Sequence, residues 1–528
     1  MADKVQDEKR LEYGSEEKGL GGGGDSSEHS PTVGPTDGGL RTVDAGLPPD
    51  QVIGEMSPAE EARTIRKIDF RLIPLLTLLY LLAYIDRSNL GNAKIAGMYD
   101  DLELYGLKYN TVLTVFFVTY TLFEVPSNVV LKILRPSVWL SIICFSWGLV
   151  MTLMGLVNSY HGLIVARIFL GLAEAGFFPA ATFLLTIWYR RYEVQRRMAI
   201  FYAAASLSGA FSGLLAFAIE KMDGISGLAG WKWIFILEGL APVAVSFTLF
   251  FLLPDKPETA RFLTIREREF VVNRIALFTG SGAGRVTNAD KITWTSFKSG
   301  FRDWRVWLAI IPFWGCSIGT YGFTATVPTV VKDLGYSNAN AQLMTIPIYV
   351  AATFATVGVA FWSDRIQQRT PFLMGGFSVA CVGFVAELAI PHPRMPGVTY
   401  FFLFLIAIGL YCPFTCVVTL VGNNLAPSSK RAVGMALLIS VGNMGGICGS
   451  NIYFAAQAPR YYTGFGVCLA VCFLAIICAI ILRIAYRREN KRRDDYVARE
   501  GEAAIKARFT DQELLELGDL SPFYRYTL

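Results

Sequence analysis

The chain has 528 residues, 53% hydrophobic and 17% charged, with a positive mean hydropathy. Soluble domains carry about a quarter charged residues, so this composition argues against a soluble protein and favours an all-α polytopic membrane protein. The net charge of +5 says little by itself. We expect no nucleic-acid partner.

The nine cysteines fall inside apolar segments, where free thiols behave as small hydrophobic groups. We therefore predict neither a disulfide framework nor a metal site. His29, His161 and His392 lie in a tail or in loops, so a proton relay inside the membrane must rest on carboxylates. The stretch 280–285 is glycine-rich but lacks the spacing and the lysine of a phosphate-binding loop. With no nucleophile–base cluster either, we expect no cofactor and no enzymatic activity.

Taken in order, the chain begins with a polar tail rich in Gly, Ser and Pro, residues 1–62, which we predict to be disordered and cytoplasmic. A helix needs about 20 apolar residues to cross a bilayer. On that template twelve spans are predicted, at 70–94, 109–133, 137–157, 162–189, 197–219, 230–253, 304–330, 341–362, 371–391, 398–423, 432–457 and 463–485.

The spans divide the chain into two six-helix halves, 63–253 and 304–485, joined by a linker, 254–303, and followed by a tail, 486–528. Parallel repeats of this kind are a standard construction of secondary transporters. Basic residues cluster before span one and after spans four, eight, ten and twelve: Arg63, Arg66, Lys67, Arg71, Arg190, Arg191, Arg196, Arg197, Arg365, Arg369, Lys430, Arg431 and the stretch 487–493. The positive-inside rule then places both termini and the linker in the cytoplasm.

Span one contains an acid and a base in adjacent positions, Asp86 and Arg87. Each ionised group inside a bilayer costs roughly 2.5–3.5 kcal/mol even on lenient scales, so such residues are usually functional. Neighbours on a helix point about 100° apart, so one can face a central cavity while the other faces an adjacent helix. The alternative is a structural ion pair between helices.

Span four carries Arg167 and Glu174 seven residues apart, with Gly171 between them, and two helical turns put all three on one stripe. Asp86 and Glu174 lie roughly 13–17 Å from the outer ends of their spans, near the midplane where transporter sites lie. Desolvation favours the protonated form of a carboxylate there, as proton coupling requires. The alternative is that Glu174 only pairs with a base on a neighbouring helix.

Two further carboxylates are embedded in the first half. Glu124 in span two lies four residues from Asn128, around Pro126, and either has a functional role or only supports packing or a gate. Glu238 in span six is similar, and its role is closer to a structural one. Six embedded charges at about 3 kcal/mol each would cost on the order of 15–20 kcal/mol, more than the net stability of a typical protein. They must therefore pair or line a wet cavity.

The second half is almost free of charge in spans seven, eight, ten and eleven. Its polar residues there are neutral: Tyr321, Thr324, Asn423, Asn424, Asn443, Asn451 and Gln457. We therefore expect the first half to handle charge and protons, and the second half to contact the uncharged part of a substrate.

Several stretches together resemble the major facilitator superfamily, and more narrowly the fungal allantoate, nicotinate and pantothenate permeases of its anion:cation symporter family. The stretches are Tyr84-Ile-Asp-Arg-Ser-Asn-Leu-Gly-Asn92, Arg167 to Pro179, Gly230 to Gly239, Leu253 to Glu258, Gly335 to Asn340, Lys430 to Met435 and Glu489 to Asp494. The resemblance covers nearly all of residues 65–490 and implies a twelve-helix fold of two pseudo-symmetric halves.

The resemblance implies that Arg87 engages the substrate carboxylate, that Asp86 and Glu174 carry the coupling proton, and that Arg167 modulates Glu174. The other candidate substrate contacts are Tyr84, Tyr321, Asn424 and Asn443. The superfamily's cytoplasmic gating motif is present in the second half as Asp364, Arg365 and Arg369, with Glu124 a candidate gate in the first half. The first-half counterpart of that motif, 132–136, lacks the acid.

We therefore predict a monomeric plasma-membrane permease that imports a small organic anion, such as a vitamin or nitrogen-source metabolite, together with protons. Two alternatives remain: an exporter of a fungal secondary metabolite with the same fold, and a nutrient sensor without transport activity. The short tail argues against the sensor, because a sensor would need a large signalling segment.

Overall fold

The computed structural model describes residues 56–279, 294–366, 368–391, 394–510, 513–514 and 517–528. These residues form helices joined by turns and contain no strand. The predicted disordered tail up to residue 55 and the glycine-rich stretch 280–285 lie outside the described residues.

The first half consists of α1 to α7, with α1 beginning inside the predicted tail. Ser57 caps α1, because its hydroxyl accepts from the Glu60 amide at 3.3 Å while Glu60 accepts from the Ser57 amide at 3.0 Å. The helices are α1 Pro58–Ala93, α2 Lys108–Ile133, α3 Pro136–Met154, α4 Tyr160–Glu174, α5 Phe177–Trp188, α6 Arg191–Glu220 and α7 Gly230–Leu252.

The predicted fourth span is two helices, α4 and α5, that meet at Ala175 and Gly176. A Cβ on Gly176 would collide with the Ser127 side chain, so glycine lets α2 approach this junction closely. The break follows directly after Glu174.

The linker contributes α8 Ile265–Thr279 and α9 Trp294–Phe301. The second half then consists of α10 Trp304–Asp333, α11 Asn338–Ile366, α12 Thr370–Ala389, α13 Pro396–Asn424, α14 Ser428–Asn443, α15 Gly445–Asn451 and α16 Tyr462–Glu500. The predicted eleventh span is shorter than expected, because it breaks at Met444 and its helix ends at Asn451 rather than near 457. By contrast, α16 has 39 residues and runs 15 residues past the predicted end of span twelve, at 485, to Glu500.

Eleven helices in the described part of the chain are long and apolar enough to cross a membrane. At the remaining predicted span, the second, lies α2, whose 26 residues extend about 39 Å. Helices therefore occupy all twelve predicted positions, and the all-α polytopic fold is confirmed.

In the described structure the two halves pack together chiefly through α6 with α11, α1 with α10, and α2 with α15, with smaller contacts of α6 with α13 and α2 with α14. Small residues permit these approaches: a Cβ on Gly213 would lie 2.7 Å from the Gln342 carbonyl oxygen, and one on Gly91 would lie 3.1 Å from that of Ala325. We call the end of the bundle where α1 begins and α16 ends the basic end. The opposite end, which carries Asp100 and Asp101, is the acidic end.

Candidate functional site

Arg87 lies at the junction of two cavities on the boundary between the halves. A cavity of about 350 Å³ extends from it toward the basic end and one of about 490 Å³ toward the acidic end. Tyr84, Arg87 and Tyr321 line both cavities. The α1 and α10 helices thus place one arginine and two phenols between two spaces.

Each of the three nitrogens of the Arg87 guanidinium donates a hydrogen bond to a neighbour. Its Nε and Nη2 donate to Glu174 Oε1 at 2.9 and 2.5 Å, and its Nη1 donates to the Tyr321 hydroxyl at 2.9 Å. The rings of Tyr84 and Tyr120 lie 4.9 and 5.1 Å from the guanidinium carbon. Glu174 does therefore pair with a base on a neighbouring helix, and that base is the residue expected to hold the substrate.

Asp86 points away from both cavities and is 2% exposed. Trp147 of α3 donates its indole Nε1–H to Asp86 Oδ2 at 2.8 Å. The adjacent acid and base of span one therefore face different surroundings, as their angular separation on the helix allows.

Arg167 lines the cavity on the acidic side and is 2% exposed. No ion pair to Arg167 occurs within the described residues, and its guanidinium carbon lies 5.6 Å from the Phe116 ring centroid. Glu174 and Asp86 are its nearest opposite charges. This position places Arg167 beside Glu174 without a hydrogen bond between the two.

The walls of the cavity on the basic side are mostly aromatic, which sequence reasoning missed. Its polar groups come from Arg87, Asn443 and the tyrosine hydroxyls, and the rings are those of Tyr80, Tyr84, Tyr120, Phe177, Phe178, Phe313, Tyr321 and Phe414. The signals in the sequence were the spacing of Tyr80 and Tyr84 by one helical turn and the Phe177–Phe178 pair after Gly176. Such a space suits a flat apolar group attached to an anion.

Asn424, a predicted substrate contact, lies away from Arg87. Asn424 ends α13 at the basic end, where its Nδ2 donates to the Thr527 carbonyl at 2.9 Å and its Oδ1 accepts from the Thr527 amide at 2.8 Å. It lines neither cavity, because α13 continues past the site to bind the C-terminal segment.

Glu124 lies one turn beyond Tyr120 on α2 and is 2% exposed. Its Oε2 has no hydrogen-bond partner in the described structure, and its electrostatic neighbours are Arg87, Ser440 and Asn443. Glu124 thus faces α14 across the boundary between the halves, on the basic side of Arg87.

The predicted gating residues lie at the basic end. Arg369 donates to the Ser363 hydroxyl at 2.7 Å, and Arg365 is exposed. The Asp364 side chain lies outside the described residues. Sequence reasoning missed a first-half ion pair at this end, in which Arg197 of α6 donates to Asp69 of α1 at 2.5 and 2.7 Å.

Comparisons with known proteins agree with this architecture. The model of the Major Facilitator Superfamily matches residues 76–450, with an overlapping match at 360–521. The chain is 37% identical to the MFS-type transporter cnsO of Penicillium expansum over 89% of this chain and 92% of that protein. It is 31% identical to the high-affinity nicotinic acid transporter of Saccharomyces cerevisiae over 92% of this chain and 88% of that protein.

Among solved structures, a bacterial homologue of the human lysosomal transporter Spinster, in an inward-facing and unoccupied conformation, has the same fold. It superposes with a TM-score of 0.60 at 17% identity and covers 82% of this chain and 98% of its own. One conclusion follows from the helices at the twelve predicted spans, the family match along most of the chain and the similarity to the relatives. The chain is a member of the Major Facilitator Superfamily, and its relatives include fungal transporters.

Proposed function

We propose that the protein is a proton-coupled symporter that imports a small organic anion across the plasma membrane, with both termini in the cytoplasm. The observation that carries this proposal is the pairing of Arg87, which lines both cavities between the halves, with the buried carboxylate of Glu174. A substrate carboxylate needs the same guanidinium donors that Glu174 now occupies.

Competition for Arg87 supplies the coupling. When Glu174 is protonated it loses its charge, and Arg87 becomes available to a substrate carboxylate. When Glu174 loses its proton it recaptures Arg87 and displaces the substrate. A proton taken up from an acidic exterior and released inside thereby drives the anion inward.

The arrangement of contacts between the halves supports an inward-facing state. Asn110 donates to the Ser450 carbonyl and Asn451 to the Thr114 hydroxyl, both at 2.6 Å, and both bonds lie at the acidic end. Among the described residues no ion pair joins the two halves at the basic end. If the basic end is cytoplasmic, the Arg87–Glu174 pair is the state expected after substrate release.

The aromatic walls favour a planar acid over an aliphatic one of the same size. Offset or edge-to-face ring contacts add about 0.5–1.5 kcal/mol beyond the area buried. The name of the yeast relative is consistent with a pyridine carboxylate, and nicotinate is the first compound to test.

The test is uptake of labelled nicotinate, allantoate, pantothenate and short peptides by cells that express the chain, at acid and neutral pH, with and without a protonophore. We expect uptake of at least one carboxylate, faster at acid pH and abolished by the protonophore. Arg87→Ala should abolish this uptake at normal surface expression, whereas Arg508→Ala, at an exposed position, serves as the matched control. Unchanged uptake in Arg87→Ala would contradict the proposal, and efflux without uptake would favour the exporter.

A further inference from the structure

A second carboxylate, Glu238 of α7, lies behind Arg87 on the side of α1 that faces away from the cavities. Glu238 is 5% exposed, and neither of its carboxylate oxygens has a hydrogen-bond partner in the described structure. Its electrostatic neighbours are Asp86 and Asn89 of α1, and it lines neither cavity. An unpartnered carboxylate in such a place carries a large desolvation cost if it is ionised.

A close helix crossing places Glu238 and Trp147 on the same side of the α3–α7 pair. Gly148 of α3 and Gly239 of α7 face each other so closely that a Cβ on Gly148 would lie 2.8 Å from the Gly239 carbonyl oxygen. The residues that precede these glycines are Trp147 and Glu238. Of the two, Trp147 donates to Asp86 of α1, and Glu238 lies within electrostatic range of the same Asp86.

Among the described side chains of the helices packed around Glu238, none is a base that pairs with it. From α3 comes Cys144, whose thiol donates to the Pro242 carbonyl at 3.1 Å, and from α6 comes Ser212, bonded to Asn89 and Asn92. The turn after α1 carries Lys94, which lies 4.6 Å from the Tyr109 ring and faces Asp333.

The charges near Asp86 do not balance if every group is ionised. Asp86 interacts electrostatically with Glu174, Arg87 and Arg167, and Glu238 with Asp86. Three acids and two bases leave one net negative charge in the interior of the first half. One proton on this group removes that charge, and two nearby buried carboxylates without a base between them titrate in two separate steps, so that one is still protonated after the other has ionised.

We propose that Asp86 and Glu238 form a carboxyl pair that shares a coupling proton, so that Glu238 is a proton-binding residue of the transport cycle. The neighbouring donors, the indole N–H of Trp147 and the amide of Asn89, suit a carboxyl–carboxylate pair. They do not suit a metal cation, which would be surrounded by oxygen ligands. The pair lies apart from the substrate cavity, so its proton adds to the one on Glu174. This inference rests on the proposed function for its role in transport, but the shared proton itself is observable without substrate.

The first test is infrared spectroscopy of the purified full-length protein at neutral pH in light and heavy water. We expect the absorption of a protonated carboxyl that shifts on deuteration, and the loss of this component in Glu238→Gln. If Glu238→Gln leaves the protonated-carboxyl absorption unchanged at all pH values, the pair does not hold a proton and the inference is overturned. This measurement needs no transported substrate, so it separates failure of the inference from failure of the proposed function.

The second test uses proteoliposomes with the membrane potential clamped at zero and labelled nicotinate as the probe, or the carboxylate that the uptake panel identifies. Each coupled proton gives about tenfold accumulation per unit of pH gradient. For a gradient of about one pH unit, we expect about hundredfold accumulation in the wild type, with two coupled protons, and about tenfold in Glu238→Gln, with one. Exchange of labelled for unlabelled substrate, which needs no net proton movement, should stay within about twofold, and Glu238→Asp should restore part of the accumulation.

The matched control is Glu387→Gln, which removes an equally buried carboxyl from α12 in the other half. If Glu238→Gln lowers exchange and accumulation in parallel, Glu238 has only a structural role. Accumulation equal to the wild type also overturns the proposal, as does accumulation driven by a sodium gradient at equal pH that Glu238→Gln abolishes.

Discussion

Arg87 of α1 and Glu174 of α4 are held by two hydrogen bonds to one carboxylate oxygen, at 2.9 and 2.5 Å, in a site where Glu174 is 1% exposed. Removing one partner of such a buried pair costs about 3–5 kcal/mol, because the remaining charge is left without compensation. A substrate carboxylate that binds Arg87 in place of Glu174 keeps the arginine paired and so avoids that cost. An anion that enters the site therefore competes with Glu174 for Arg87.

Glu174→Gln should separate binding from coupling. The amide competes poorly for Arg87, so we expect nicotinate to bind at pH 7 about tenfold more tightly, a gain of about 1.4 kcal/mol. Binding should also lose its dependence on pH, and proton-driven accumulation should fall while exchange persists. Isothermal titration of the purified protein between pH 5 and 8 measures the first two effects; binding that still weakens as pH rises would show that another group controls Arg87.

Arg87→Lys should not rescue transport, although it keeps the positive charge. Lysine lacks the planar fork with which the Nε, Nη2 and Nη1 atoms of Arg87 donate to Glu174 and to Tyr321 from separate positions. Loss of a buried, hydrogen-bonded charge partner costs about 2–5 kcal/mol, so carboxylate affinity should fall more than about thirtyfold. The measurement is the concentration dependence of uptake at matched surface expression; near-normal affinity in the lysine variant would show that charge alone suffices.

Phe178→Leu should reduce the preference for an aromatic acid. Phe178 lines the cavity on the basic side, and its ring lies 6.0 Å from that of Tyr80. Loss of one ring contact of about 1 kcal/mol should lower the affinity for nicotinate about fivefold, with little change for an aliphatic acid of similar size. Phe473→Leu, at a position that is 60% exposed on the outer surface of α16, is the control. An equal effect on both acids would argue against recognition of the ring.

Trp147→Phe should destabilise the first half through Asp86. The substitution removes the 2.8 Å hydrogen bond and leaves a buried carboxyl with one donor fewer, at a cost of about 1–3 kcal/mol. Thermal unfolding of the purified protein should shift to lower temperature. In an Asp86→Asn background the same substitution should cost less, because the two residues interact directly. Additive effects would show that Trp147 contributes by packing alone.

Asp519→Asn should release the C-terminal segment 517–528 from the basic end. Asp519 is 1% exposed and accepts from Lys430 at 2.8 and 3.0 Å; because Lys430 keeps its ion pair with Asp303 at 2.8 Å, the loss of the Asp519 charge should cost about 1.5–3 kcal/mol. Labelling of Ser521→Cys by a maleimide should accelerate more than about tenfold. Asp494→Asn removes the exposed pair with Arg525, worth about 0–1 kcal/mol, and should leave the labelling rate nearly unchanged.

Several features followed from the sequence because they depend on local pattern alone. Hydropathy placed the twelve spans, since a bilayer requires about 20 apolar residues whatever their neighbours. The cost of embedded charges identified Asp86, Arg87, Arg167 and Glu174 as residues that must pair or line a cavity. Helical geometry allowed the adjacent Asp86 and Arg87 to face different surroundings.

Only the tertiary structure decided which groups meet. The partner of Arg87 is Glu174, 87 residues away, and that of Asp86 is an indole N–H, because the glycine crossing of α3 and α7 sets which side chain reaches it. Asn424 resembled a substrate contact by its polarity, yet the folded C-terminal segment binds it at the basic end. A periodic pattern gives the direction of a side chain from its own helix axis. It does not predict which neighbouring helix that side chain will contact.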